Sequence, residues 1–323
     1  MLPSISLHKI IYPIIFAVLL SAAGCASTQK TATKSSGNTK TDNEFKPYRS
    51  VIPTGAKTDS GLITIHHVGG KYYFEIPDSL LGRDMLLISR LAKVPEALGG
   101  YLNAGRKLSD RIIHWKRVDN RILLKPVATQ SVAADSLPIH HSVVENTFEP
   151  VLAVFDIKTV NPDNDALVID VTDLFTKNAA AISGIRSRQR EQFKIRGLDN
   201  KRTFINFAHS YPKNIEVRHT LTFRSTGKPA QGRGVFSVQL NQSIVLLPKK
   251  IMTPRPCDER VGYFDIKRVN YGSDKLKAAE ECFITRWKLI PSDPEAYMMG
   301  ELVEPVEPIV FYIGQGVPNR WRP

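Results

Sequence analysis

Residues 110–127, DRIIHWKRVDNRILLKPV, set two runs of apolar and polar residues on either side of Asp119-Asn120. A two-residue Asp-Asn step between two such runs is a hairpin signal, because both residue types tolerate the positive φ that a tight turn with the right twist demands. The same grammar recurs along the chain. GLITIHHV, GGK and YYFEIP (61–77) read as strand, turn and strand, and RDMLLISRL (83–91) as a third strand. FEPVLAVFDI and ALVIDV read as strands joined by VNPDND (160–165). RTFINFAHSYP, IEVRHTLTFRS and GVFSVQLNQSIVLLP (202–248) alternate apolar and polar residues, as half-buried antiparallel strands do. VGYFDIKRVNY and ECFITRWKLIP (261–291) form a last pair. Thr172 is expected to cap a short helix in TDLFTKNAAA, with Asp173 beside it suiting the helix dipole. About a dozen strands and one or two short helices predict a mainly β (β-rich α+β) protein with antiparallel, sandwich-like sheets.

The N-terminus differs in kind. MLPSISLHKIIYPIIFAVLLSAAGC has a short start with Lys9, an apolar run 10–20, small residues 21–24 and then Cys25. That is the pattern of an export signal, and the run is too short for a stable membrane span. The AAGC ending resembles the lipobox of bacterial lipoproteins, with Ala22 where that box usually has Leu. The resemblance makes Cys25 the lipidated first residue of the mature chain. A multiply acylated cysteine anchors stably, which a single acyl chain does not. Residues 26–45 are rich in Ser, Thr and Lys and almost free of large apolar side chains, so they are expected to be a flexible tether. The expected location is exported and lipid-anchored in the cell envelope, at the outer membrane of a Gram-negative bacterium, with the membrane as a partner.

The chain has 323 residues and a formal charge of +13. Such a charge suits anionic partners, but Lys and Arg are spread along the whole length. The densest cluster, RSRQREQFKIR (186–196), reads as a solvated basic face. With an exported chain, nucleic acid is not an expected partner.

The residues needed for catalysis are not in evidence. Eight histidines occur, none in His-Glu-x-x-His spacing. His66-His67 and His140-His141 are adjacent pairs, and neighbours on a strand point to opposite faces, so neither pair is expected to chelate one ion. No Gly-x-Ser-x-Gly elbow and no phosphate-cradling loop occurs. Cys257 and Cys282 lie 25 positions apart across an expected hairpin turning near 273–277. A regular hairpin would not set them opposite each other, which leaves their pairing open. In TPRPCDERVGYFDI (253–266), Cys257 or Asp258 stands on a proline-stiffened loop. A thiolate or carboxylate so presented can block the open position of a catalytic zinc supplied from elsewhere. The plainer reading is a loop entering a strand, with Arg255, Asp258 and Glu259 in a local charge network.

CDERVGYF, YGSD, CFITRWKLIPSDPEA and LVEPVEPIVFYIGQGVPNRWRP (303–323 for the last) together resemble the N-terminal half of a family of large bacterial zinc-dependent metalloproteases, secreted or lipid-anchored, with two uncharacterised N-terminal domains. Arg260, Gly262, Tyr263, Phe264, Arg286 and Trp287 carry the most specific part of that likeness. The resemblance implies a signal at 1–25, a tether at 26–45, a small β-rich domain at 46–95, a larger one at 96–300, and at 301–323 a linker with the first strand of a catalytic domain. Ile309–Ile313 would be that strand, either poorly packed or borrowed as a sheet edge. Gly314 departs from the Asp usual after it. The zinc and its His-Glu-x-x-His helix would lie outside this chain, which is therefore expected to hold no cofactor, to have no catalytic or metal-binding residue and to be inactive alone. Two readings follow: a truncated, non-catalytic portion of such a protease, with a catalytic domain as partner in cis or in trans, or a complete lipoprotein serving as a binding or scaffold module.

Overall fold

Twelve antiparallel strands of this chain join into one sheet that curls until its ends almost meet. The computed structural model describes residues 45–98, 102–182, 185, 187–273 and 277–322. The expected signal, the lipidation site Cys25 and all but the last residue of the tether lie outside the described residues. The strands are β1 (Lys57–Asp59), β2 (Thr64–Val68), β3 (Lys71–Ile76), β4 (Met85–Lys93), β5 (Lys107–Val118), β6 (Arg121–Pro126), β7 (Ser131–Val132), β8 (Ala153–Val160), β9 (Leu167–Asp170), β10 (Ile195–Leu198), β11 (Phe204–Ser210), β12 (Asn214–Ser225), β13 (Val235–Leu246), β14 (Asp265–Asn270) and β15 (Ala279–Ile284). Short helices interrupt them: α1 (Tyr48–Val51), α2 (Ile139–Asn146), α3 (Thr172–Thr176), α4 (Ser187–Gln192) and α5 (Pro294–Met298). The protein is mainly β, as the alternation predicts. The turn at Asp119-Asn120 is found, with Val118 opposite Arg121 and Asp119 at φ 50°.

The order in the large sheet is β1-β2-β3-β9-β8-β6-β5-β4-β13-β12-β10, with β11 on β12. The expected boundary between 46–95 and 96–300 falls inside this sheet. β3 pairs with β9, and β4 lies between β5 and β13. Alternate residues of the strands point inward to one interior, where Phe74, Trp115, Phe175 and Phe223 are wholly buried.

A polar layer crosses that interior. Ser89, Gln242 and His219 occupy inward positions on neighbouring strands β4, β13 and β12. Ser89 Oγ donates to Gln242 Oε1 at 2.6 Å, so the Gln242 amide nitrogen faces both Ile182 O at 3.1 Å and His219 Nε2 at 3.1 Å. That nitrogen donates, so His219 Nε2 accepts and the imidazole proton sits on Nδ1. Nδ1 lies toward the Phe175 backbone without a hydrogen bond of normal geometry. Burial pushes the His219 pKa down to about 4, and the ring is neutral at neutral pH. Apolar clusters lie on either side of the layer, one with Leu87, Val217 and Ile244, the other with Leu91, Leu221 and Leu240.

A second buried network sits on the opposite face of β2 and β3. Glu75 accepts from Tyr48 OH at 2.7 Å and Asn161 Nδ2 at 2.7 Å, and lies 3.0 Å from His66 Nε2. Burial would raise the Glu75 pKa, but these hydrogen bonds, with one from Asn164, outweigh it and bring it down to about 2. The network ties α1 and the β8–β9 turn to the sheet.

The sheet ends meet at Gly61. Leu62 N donates to Tyr211 O at 2.8 Å, and Asp59 Oδ2 accepts from Ser210 N at 3.4 Å. A Cβ on Gly61 would stand 2.7 Å from the Ser210 carbonyl carbon, so only glycine permits the approach.

Thr172 does not cap α3. It is the first helical residue, its backbone N–H donates to Asp170 Oδ1 at 3.0 Å, and its hydroxyl accepts from Tyr72 N at 2.9 Å. Its hydroxyl is engaged by β3 and not by the free N–H groups of its own helix. Among the described residues, no helix is long and apolar enough to cross a membrane.

These two buried groups give acid lability in two windows. His219 has a folded pKa below its ordinary 6.5, so its contribution to stability is whole above 6.5 and is lost as pH falls toward 4. Glu75 has a folded pKa below its ordinary 4.5, so its contribution is whole above 4.5 and is lost as pH falls toward 2. Thermal unfolding measured against pH is expected to show both losses, and Glu75→Gln to flatten the lower one alone. An unchanged lower window in that variant would contradict the assignment.

Candidate functional site

The residues that carry the family likeness lie together on an arm outside the large sheet. β14 pairs with β15, and β14 is joined in parallel to β7 by Val269 N to Gln130 O at 2.7 Å and Tyr271 N to Val132 O at 2.9 Å. The anchor is narrow, and Gly272 is part of it: a Cβ there would sit 2.5 Å from Leu137 Cδ1.

Cys257 and Cys282 form a disulfide. Cys257 does not belong to the hairpin, whose register sets Lys267 opposite Cys282. Instead, residues 255–257 run along the outer edge of β15, where Cys257 N donates to Cys282 O at 2.9 Å and Ile284 N to Arg255 O at 3.0 Å. A hairpin register constrains only one edge of β15, and Cys257 approaches along the other. This corrects the expectation of Cys257 as a zinc-blocking ligand, since a disulfide sulfur is no thiolate. Asp258, the other candidate switch, is held by Arg260, whose Nε and Nη2 reach its two carboxylate oxygens at 2.9 and 2.6 Å. The hydrogen bonds from the Arg260 side chain and backbone hold the Asp258 carboxyl below the usual range. The pair is solvent-exposed. Arg260 thus takes the place given to Arg255 and Glu259 in the expected charge network.

The other motif residues face solvent or brace loops. Arg286 Nη2 donates to Thr253 O at 2.7 Å, and Thr285 Oγ1 to Phe264 O at 2.9 Å. Gly262 has open space where a Cβ would stand. Cross-strand pairs Arg268–Glu281 at 2.7 Å and Lys267–Glu280 at 2.9 Å brace the hairpin. Tyr263 is exposed, Phe264 is 91% exposed, and Trp287 is exposed and meets Phe311 edge-on, at 6.4 Å between centroids.

Ile309–Ile313 is not a strand. These residues are irregular and open, with Tyr312 at 93% exposure, because no strand edge pairs with them. From residue 247 to 322, no described residue is buried, although the segment carries many aromatic and aliphatic side chains. Apolar side chains are thus exposed along the whole arm, well beyond singly scattered surface residues.

The histidines do not converge on a metal site. His66 binds Glu75, His209 stands 2.8 Å from Asp59, and His114 3.4 Å from Glu149. His140 and His141 lie on a helix, α2, not on a strand, and face Asp135 and Glu145 separately. Cys257, Asp265 and Cys282 form the one cluster of three potential ligands among the described residues, and its two sulfurs are bonded to each other. These residues do not fit a tetrahedral zinc centre. The His66–Glu75 and Ser89–Gln242–His219 networks were not foreseen from sequence. The signal that could have found them is a polar residue at an inward or sheet-covered position of an alternating strand.

The profile of a family described as a domain of unknown function (DUF5117) matches residues 105–292, and that of a second (DUF5118) matches residues 45–94. No curated protein and no solved structure matches the chain.

Because the arm adds nothing to the buried core, its disulfide stabilises the arm locally. Closing a loop of 25 residues is worth about 3 kcal/mol. Replacing both Cys257 and Cys282 by Ser is expected to speed amide exchange in 255–284 and leave the melting temperature of the large sheet nearly unchanged. An equal fall in both would place the arm in the core's cooperative unit.

Proposed function

The chain belongs to the DUF5117 family, and from the resemblance of its motifs to the N-terminal half of zinc-dependent metalloproteases we propose that it is the non-catalytic part of such an envelope-anchored protease, with the arm as the surface that receives the catalytic domain. The observation that carries this reading is the exposed apolar arm, residues 247–322, stapled in shape by a disulfide but covered by nothing. The likeness of 303–323 to the opening of a protease catalytic domain supports the choice of partner, because those same residues lie on the uncovered surface. The disulfide and the cross-strand ion pairs hold the backbone of 257–284 in shape before contact. Preorganisation of that kind lowers the ordering cost of association.

In this reading the chain contributes no zinc ligand, and its part is to bind and position. A separately produced His-Glu-x-x-His catalytic domain of such a protease is expected to form a complex with the purified protein. Phe264→Ser and Tyr312→Ser are each expected to weaken it by about 2 kcal/mol, roughly thirty-fold, as for aromatic anchors at interfaces. The chain alone, with added zinc, is expected to leave casein intact. Absence of a complex, or chelator-sensitive cleavage by the chain alone, overturns the reading.

Lipidation at Cys25 would hold this platform at the envelope, with residues 26–45 as tether. Cys25→Ser is expected to move the protein from the membrane fraction to the soluble one. Retention in the membrane fraction would show that the anchor lies elsewhere.

A further inference from the structure

Two hollows lie side by side where the ends of the large sheet meet, far in function from the arm. One has a volume of about 580 Å³ and is lined by α3 and β11; the other has about 500 Å³ and is lined by β1 and β11. Both share His67, Tyr72 and Asn206. The strand order β1-β2-β3-β9 puts β1 on one side of the β2–β3 pair and α3, which follows β9, on the other. The hollows therefore flank the cross-strand pair His67–Tyr72, whose rings stack at 4.4 Å and 13°.

The chemistry of this double hollow is distinctive. Each volume falls in the range of about 300–1,000 Å³ that holds small organic ligands. Its walls combine a rigid aromatic ridge with fixed polar groups. Asn206 is the bulged residue of β11, between Ile205 opposite His219 and Phe207 opposite Arg218. Its Oδ1 accepts from Thr220 Oγ1 at 2.7 Å, which orients the amide and leaves Nδ2 without a hydrogen-bond partner among the described residues. Asp173 pairs with Lys177 at 2.6 Å, Asp59 lies 2.8 Å from His209 Nδ1, and Lys57 also lines the second hollow.

We propose that the double hollow binds a neutral oligosaccharide, with two successive sugar units seated on either side of the His67–Tyr72 ridge. A pyranose presents C–H groups on its faces and hydroxyls around its rim. The faces pack on the electron-rich faces of aromatic rings, and the hydroxyls pair with uncharged donors and acceptors such as Asn206 Nδ2. An extended peptide would need a free strand edge. β1 has three residues, and its last, Asp59, already ties it to Ser210 N of β11. This inference does not depend on the protease reading, since it uses none of the arm's residues.

Calorimetric titration of the purified protein with cellotetraose, mannotetraose, xylotetraose and chitotetraose tests it, with an uncharged octapeptide as the rival. At least one tetrasaccharide is expected to bind. His67→Ala and Asn206→Asp are each expected to weaken binding about ten-fold or more. Asn206→Asp keeps the acceptor for Thr220 and so keeps the local fold, while removing the Nδ2 donors. Phe264→Ala, on the arm, is expected to leave binding unchanged. Failure of all four sugars to bind, sugar binding that survives both site variants, or binding of the octapeptide alone overturns the proposal.

Discussion

The Ser89–Gln242–His219 layer sets the conditions for everything else in the large sheet. Three polar side chains are buried on adjacent strands, and each bond uses an atom that no neighbour could supply. A slip of one residue between β13 and either β4 or β12 would turn Gln242 outward and leave Ser89 and His219 unpaired. Leaving such groups unpaired in a core costs about 1–3 kcal/mol each, so the layer penalises wrong registers more sharply than apolar packing does. It also explains why the core is in two clusters within one sheet. Leu87 and Leu91, two residues either side of Ser89, fall into different clusters.

With register set, the curl of the sheet brings β1 and β11 together at Gly61, and the same meeting creates the double hollow. The arm follows a different logic. It has no buried residue among those described and depends on a disulfide, backbone hydrogen bonds to residues 130–132 and surface ion pairs. The hydrophobic core is thus carried by the large sheet, and the arm's apolar side chains stay exposed.

Much of the strand inventory was legible because a strand with one buried face must alternate. The hairpin at 118–121 and the strand pairs around 69–70 and 160–165 lie where local signals put them. Other features resisted local reading for identifiable reasons. The Cys257–Cys282 bridge depends on which edge of β15 a preceding segment follows, and nothing local encodes that. IVFYI has strand composition, yet a strand exists only through a partner, and 309–313 pairs with no strand among the described residues. Thr172 stands at a helix start, but its hydroxyl accepts from Tyr72 N of β3 and not from its own helix.

The sequence by itself determined the elements: the alternation, the turns and hence the antiparallel β character, since these rest on interactions within a few residues. It also placed the motif residues from Arg260 to Trp287 in one stretch. Tertiary structure decided which strands are neighbours, that segments 45–94 and 105–292 share one sheet, that His66 finds Glu75 and His219 finds Gln242, and that His67, Tyr72 and Asn206 line one site. The physical reason is sequence distance. Pairings between residues tens to more than a hundred positions apart are selected by the joint burial of a whole sheet, and no single segment carries that information.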